Sequence, residues 1–428
     1  MKRTLTSQKL LNTELLGIPL HKINIYCLMS ALMLTLLAIN PGITQGASNI
    51  NLLLCTALFL SPLTLFLRKG RVWMPRIDLP LSMLCVSVLI CPIIFHPHTV
   101  RFSTMLFTSA YCVYIAMLAR MLNASELNAE GFLKLIRGIV YAFFIVLCVQ
   151  QLCVLTGLPV FFAAKVYGMP WKLNSLTAEP SHTSITLCFL MFIYMQTRRY
   201  ISQDYTLAKS FSREWMLWSA WVWTIFSTIN ASAFVFAPLA FLPFITRKNV
   251  WVFLGVAICC VEIFMWLPES IFEQPHRVKN IVMSLLSLDQ QKIIEADESI
   301  STRVIPTIRG AEALTIGPEL LIGHGVDAST NDIEDIPYDD IYDKGSAGIF
   351  NMLYNYGLIG ALSLLWIMGR MILIKRYPLT WITFIIALIL SQEYNMQLIW
   401  LVIAYGMVFK YRICHKNFFS HQTRERFI

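Results

Sequence analysis

Charge is scarce in this chain. Asp, Glu, Lys and Arg make up 14% of its 428 residues, against about 25% in soluble domains. Together with 57% hydrophobic residues and a mean hydropathy of +0.61, that scarcity excludes a string of soluble domains and leaves a polytopic membrane protein. Several chemistries lack their motifs: there is no Walker-type phosphate loop, no Gly-x-Gly-x-x-Gly after a strand, no paired Cys-x-x-Cys and no His-Glu-x-x-His. ATP-driven transport by this chain alone is set aside with them. No internal repeat, low-complexity tract or appended soluble domain is visible, and residues 1–22 run into the first apolar stretch without an A-x-A-like site. The first helix is therefore expected to be its own anchor.

What the chain has in quantity is apolar runs of about 20 residues. They place helices near 23–40, 49–67, 79–95, 100–119, 136–156, 183–197, 216–230, 232–246, 250–267, 347–369, 379–392 and 396–411. Residues 216–246 read either as one long tilted helix or as two short ones turning near Ser227, Asn230 and Ser232, and the basic residues decide between them. With twelve spans and a cytoplasmic N-terminus, 25 of the 34 Lys and Arg face the cytoplasm and nine face outward, as the positive-inside rule requires. The expectation is an all-α polytopic membrane protein of about twelve transmembrane helices, forming a single integral-membrane domain with both termini inside. The net charge of +9 sits in short clusters between apolar runs, so membrane orientation accounts for it and no nucleic-acid partner is expected.

Two substantial segments then face outward, 157–182 and 268–346, and the second holds 15 of the 25 acidic residues against six basic ones. Ten of the eleven cysteines fall in apolar runs and Cys414 in the tail, so disulfides do not hold either loop together. The shorter loop ends in Ala178-Glu179-Pro180-Ser181-His182. Pro180 suits the first turn of a helix, and Glu179 would sit at the positive end of its dipole as an acidic cap. The same carboxylate, beside Ser181 and His182 at a water-poor surface, could instead accept a proton from a hydroxyl.

In the longer loop, Arg303 and Arg309 could address one bulky anion, because a guanidinium offers a fixed fork of donors to phosphate oxygens. Such an anion would be a diphosphate headgroup whose lipid tail stays in the bilayer. The competing reading pairs them with Glu298, Glu312 or Glu319. His324, in Gly-His-Gly, reads as a turn residue whose flanking glycines allow a ligand to approach the backbone.

In three places the chain resembles the O-antigen polymerase and O-antigen ligase superfamily of bacterial inner-membrane glycosyltransferases. Ala178 to His182 is similar to the Glu-Pro-Ser signature that precedes a span in many polymerases. Arg309, followed by fifteen residues and then Gly325, is similar to the arginine-to-glycine spacing of the large periplasmic loop in Wzy-type polymerases. Gly357-x-x-Gly360, in FNMLYNYGLIGAL at 350–362, resembles the helix that follows that loop. Ligases carry a His-Asn pair where this chain has Ser346 and Ala347, so the resemblance favours a polymerase. The earlier loop has Lys165 and Lys172 where polymerases are described with an arginine motif.

The resemblance implies a GT-C-like membrane fold and, as substrates, oligosaccharide repeat units on undecaprenyl diphosphate. The reaction it implies is transfer of a growing glycan from its carrier to a hydroxyl of the next unit, with neither nucleotide, metal nor other cofactor. Arg303 and Arg309, helped by Lys165 or Lys172, would hold the departing diphosphate. Glu179 would act as base, with His182 or His324 orienting it or sharing the proton, and Ser181 and Gly325 would lie against substrate. A chain-length regulator and a flippase are the protein partners expected, and the bilayer the surrounding one.

Other features have plainer readings. The acidic run 327–345 is either a solvated loop or a divalent-ion site, and 276–294 has the spacing of an amphipathic helix that would lie on the membrane as a lid. Glu262 is expected near the outer surface, Trp171, Trp215, Trp251, Trp266 and Trp381 at interfaces, and His96 with His98 is too small a set for a metal. A ligase differs from a polymerase in its acceptor alone. A transporter of the same lipid-linked sugars would bury polar groups at mid-bilayer in broken helices.

Overall fold

The computed structural model describes residues 14–15, 18–19, 25–41, 52–67, 74–99, 101–125, 127–161, 171–246, 248–266, 317–326, 328, 349–375, 377–390 and 397–414, with short pieces of 280–292. Apart from a two-residue antiparallel pairing of Glu14–Leu15 with Ile18–Pro19, the described elements are helical. In chain order they are α1 (Ile25–Ala38), α2 (Leu52–Leu60, prolonged by a 3-10 turn to Phe66), α3 (Pro75–Phe95), α4 (Phe102–Ala124) and α5 (Ala129–Thr156). Then come α6 (Pro180–Ile201), α7 (Leu207–Arg213), α8 (Trp215–Ser227), α9 (Ala231–Phe236, prolonged by Ala237–Phe244) and α10 (Val250–Trp266). The last are α11 (Pro318–Ile322), α12 (Ile349–Met371), α13 (Leu379–Ile389) and α14 (Gln397–Val408, prolonged as a wider helix to Cys414).

Each apolar run of the sequence thus falls on a helical element. Among the described residues, five helices are long and apolar enough to cross a membrane: Pro75–Phe95, Phe102–Ala124, Ala129–Thr156, Met352–Met371 and Gln397–Cys414. Ile25–Ala38, Leu53–Phe66, Ala231–Phe244 and Leu379–Ile389 are apolar but shorter. In hydrocarbon no water satisfies a free peptide group, so runs this apolar adopt the one local conformation that closes its own hydrogen bonds.

The chain divides into two compact units. The first comprises Met1–Ala57, Arg120–Pro275 and Met407–Ile428, and its centre is α6. Every residue from Thr186 to Thr197 is buried, so this helix has no outward face. It is surrounded by α5, α8, α9 with its 3-10 extension, and residues 409–414. Asn128 caps α5 by accepting from the Gly131 amide at 2.8 Å, and Gly157, at φ +70°, ends it.

Residues 216–246 form two elements that turn at Thr228, Ile229 and Asn230. Phe226 meets Phe234 at 5.2 Å and Trp218 meets Phe241 at 5.3 Å, the pairing of an antiparallel hairpin. Three arginines are tied down in this unit by ion pairs and hydrogen bonds. Arg198 meets Glu130 at 3.2 Å and Glu214 at 3.0 Å, and Arg137 meets Glu214 at 3.4 Å. Arg137 also donates to the Tyr194 hydroxyl at 2.7 Å, and Arg412 donates to the Ser125 and Leu127 carbonyls. Burial pushes the nearby Tyr205 phenol up from its ordinary pKa.

The Glu214 side chain is 5% exposed and bridges two guanidinium groups. Its loss would leave both without their buried counter-charge. Since Arg137 and Arg198 keep partial contact with water, Glu214→Ala is expected to cost about 2–3 kcal/mol, below the full penalty for breaking a buried pair. A lowered melting temperature of the detergent-solubilised protein is the measurement.

The second unit comprises Leu58–Ala119 and His276–Gly406. Helices α3 and α12 run against each other, α11 rests on both, and α13 adjoins α12. Pro75 opens α3, and the Asp78 carboxylate accepts from the Met74 amide at 2.8 Å. Tyr111 and Trp400 stack at 5.5 Å beside the buried rings of Tyr114 and Tyr405. Helix α12 is broken at Gly357, where φ is +63° and ψ −169°.

Candidate functional site

In the first unit the candidate group is Glu179, the N-cap residue of α6. Its carbonyl accepts from the Thr183 amide at 3.2 Å, but its side chain makes no capping bond. The half-buried carboxylate accepts from the Ser181 hydroxyl at 3.4 Å. An acidic side-chain cap is therefore not what the residue supplies. The backbone makes the cap, and the carboxylate is left for other chemistry. His182 follows in the first turn of α6, half-buried like Ser181.

A buried amide and hydroxyl scaffold holds the backbone that carries this carboxylate. Ser175 takes φ +52°, a rare value for a residue with a side chain. Its amide donates to Gln150 Oε1 at 2.9 Å and its hydroxyl to the Phe143 carbonyl at 2.6 Å. Thr177 Oγ1 lies 2.7 Å from Thr183 Oγ1 and donates to the Glu179 carbonyl at 2.7 Å. The hairpin turn docks on the same helix end: Asn230 Nδ2 donates to the Pro180 carbonyl at 3.2 Å and to Ser184 Oγ at 2.8 Å, while its Oδ1 accepts from the Ala233 amide at 3.1 Å. Asn230→Ala removes the α9 cap and the tie to α6, an expected loss of about 2 kcal/mol. Asn230→Asp, which keeps the cap and loses the donors, should fall between it and wild type in a thermal melt.

In the second unit the Gly-His-Gly turn fills the break of α12. The His324 amide donates to the Tyr354 carbonyl at 2.8 Å and the Gly325 amide to the Asn355 carbonyl at 3.1 Å. His96 Nε2 lies 2.8 Å from the Gly323 carbonyl. Gly323 and Gly325 take φ +81° and +119°. A Cβ at Gly323 would stand 2.2 Å from the Asn355 oxygen, and one at Gly357 would stand 2.3 Å from the Leu321 oxygen. Two motifs that the sequence keeps far apart are thus halves of one joint.

Of the residues singled out from sequence, Glu179, Ser181 and His182 come together at the head of α6, and His324 and Gly325 come together on α12. Lys172 lies half-buried in the loop that leads to Glu179. Arg303, Arg309 and Lys165 lie outside the described residues, as do Ser346, Ala347, the acidic run 327–345 and most of 276–294. Among the described residues no group of three or more His, Cys, Asp or Glu could hold a metal ion. Asn230, His96 and the Arg137–Glu214–Arg198 network were not recognised as a site from sequence. A capping signal at Asn230 was there to be read, whereas the partners of His96 lie 227 residues away.

No family model, curated protein or solved structure matches the chain. Its class rests on its own helices, which are those of an α-helical membrane protein.

Proposed function

We propose that the chain is a glycosyltransferase that polymerises undecaprenyl-diphosphate-linked oligosaccharide repeat units at the periplasmic face of a bacterial inner membrane. The observation that carries this reading is the Glu179 carboxylate, whose backbone is held by a buried scaffold while the side chain stays uncommitted to capping its helix. It belongs to the end of its unit opposite the Arg198–Glu214 cluster, which the positive-inside rule assigns to the cytoplasm. On this reading the twelve helical runs form a GT-C-like membrane domain with both termini in the cytoplasm.

In the reaction, an acceptor sugar hydroxyl gives its proton to Glu179 as its oxygen attacks the anomeric carbon of the lipid-linked donor. The bond from that carbon to the carrier diphosphate breaks, and the diphosphate leaves with the electron pair. Arg303 and Arg309, with Lys165 or Lys172, offset its charge.

The break in α12 bears on the transporter alternative, because discontinuous helices line transport sites. Here the freed backbone is occupied by 323–325, which supports a fixed outer structure over a substrate path. The test is the lipopolysaccharide ladder of a strain lacking this chain. A single repeat unit on the core supports the polymerase. Lipid-linked polymer with none on the core would make the chain a ligase, and lipid-linked single units retained inside would make it a flippase.

A further inference from the structure

We propose that α7 and the first turn of α8 form a binding site for an anionic phospholipid, with Lys209 and Arg213 holding the headgroup phosphate and Trp215 and Met216 resting against the acyl chains. The proposal rests on the membrane class of the chain and is independent of the glycosyl-transfer reading. All of its residues belong to the first unit.

Helix α5 fixes the depth of the site. It is long and apolar enough to cross a membrane, and its charged residues, Glu130, Lys134 and Arg137, all precede Gly138. From Gly138 to Thr156 the helix carries no charge, a stretch of about 28 Å at 1.5 Å per residue, close to the thickness of the hydrocarbon core. The residues before it therefore stand in the headgroup layer. Glu214 is tied to that level, because its carboxylate meets Arg137 at 3.4 Å and meets Arg198, itself paired with Glu130, at 3.0 Å. Since Glu214 ends α7 and begins α8, its ion pairs keep α7 at the membrane surface.

The surface of α7 is held in place by its own contacts. Thr206 Oγ1 accepts from the Lys209 amide at 3.3 Å, and the buried Ser210 hydroxyl accepts from Trp218 Nε1 at 2.9 Å. Phe211 packs on the Trp218 ring at 4.6 Å. With Ser210 turned inward, Lys209 and Arg213 are exposed. Four residues apart on one helix, they are neighbours that can meet the same phosphate, the ammonium as a point charge and the guanidinium through two parallel N–H groups. Trp215 and Met216 follow at 63% and 59% exposure, and tryptophan is a ring that settles at a membrane interface.

Charge complementarity selects the occupant. Between Arg198 and Met216 the cations are Arg198, Arg199, Lys209 and Arg213, and the acids are Asp204 and Glu214. With Arg198 paired to Glu214, three cations remain against one acid. A cationic patch beside an apolar one in the headgroup layer matches a lipid whose phosphate carries a net negative charge. A zwitterionic lipid brings its own cation and gains little there.

The experiment titrates the full-length protein in detergent with phosphatidylglycerol or with phosphatidylcholine and reads the affinity of the first bound lipid by native mass spectrometry. Each cation near an anionic headgroup contributes about a factor of five, so wild type should favour phosphatidylglycerol by about 25-fold, and Lys209→Gln/Arg213→Gln should bring the two lipids level. Lys248→Gln/Lys375→Gln, which removes the same charge from exposed lysines in other turns, should keep the wild-type preference. Trp215→Ala should weaken both lipids alike, and wild-type affinity in that variant would overturn the seating of the acyl chains. Equal binding of the two lipids by wild type overturns the proposal without recourse to any variant, and so does an undiminished preference in Lys209→Gln/Arg213→Gln. Loss of the preference in Lys248→Gln/Lys375→Gln would assign it to net charge instead of α7. Displacement of phosphatidylglycerol by an equal concentration of glycerol 3-phosphate would make the patch a site for a soluble phosphate ester, and either result overturns the lipid site.

Discussion

Glu179→Gln should insert and melt like the wild type and yet make no polymer, with a rate loss of about 10²–10⁴. The two side chains are nearly isosteric, and the Ser181 hydroxyl can donate to the amide oxygen as it does to the carboxylate. Helix α6 begins through the Glu179 carbonyl and Pro180, neither of which changes. Loss of the charge at the helix dipole costs about 0.3–1 kcal/mol, too little to unfold the unit. Were the residue merely an electrostatic cap, the lipopolysaccharide ladder would stay normal and the melt would shift by no more than that amount. The two readings thus predict opposite ladders, and one of full length from Glu179→Gln would end the proposed role.

Gly357→Ala is expected to be as severe for a different reason. The new methyl group meets the Leu321 carbonyl at 2.3 Å and the Gly323 nitrogen at 2.6 Å, in a backbone conformation with φ +63° that L side chains rarely adopt. Both obstacles are main chain, so no rotamer relieves them. The conformational strain is about 1–3 kcal/mol and overpacking adds a similar amount. The Gly-His-Gly turn should leave its seat, taking the orientation of His324 with it. Gly369→Ala is the control on the same helix: nothing lies within 4 Å of the added carbon, and alanine favours the helix. The first substitution should abolish polymer and lower the melting temperature by several degrees, and the second should do neither.

The two variants mark how much of the site sequence can show. Pro180 and the apolar run behind it announce where α6 begins, and Glu179 stands out as an acid at that boundary. Whether the carboxylate caps the helix or is left for chemistry depends on a side-chain rotamer and on Ser181, which spacing cannot give. Similarly, the glycines at 323, 325 and 357 signal backbone freedom one by one. That they meet is a contact between segments about 30 residues apart, with His96 joining from 227 residues away. The Glu214 bridge was hidden for a related reason: a lone acid beside a tryptophan-rich run has the same local pattern whether or not two arginines converge on it.

What the sequence by itself determined is the class of protein and the position of its helices. Those follow from local quantities, hydropathy over some twenty residues and the need of each peptide group for a partner where water is absent. What only the tertiary structure decided is the burial of α6 from Thr186 to Thr197, the backbone cap that leaves the Glu179 side chain uncommitted, and the seating of the Gly-His-Gly turn in the break of α12. Each is set by a distance between residues the chain does not place side by side.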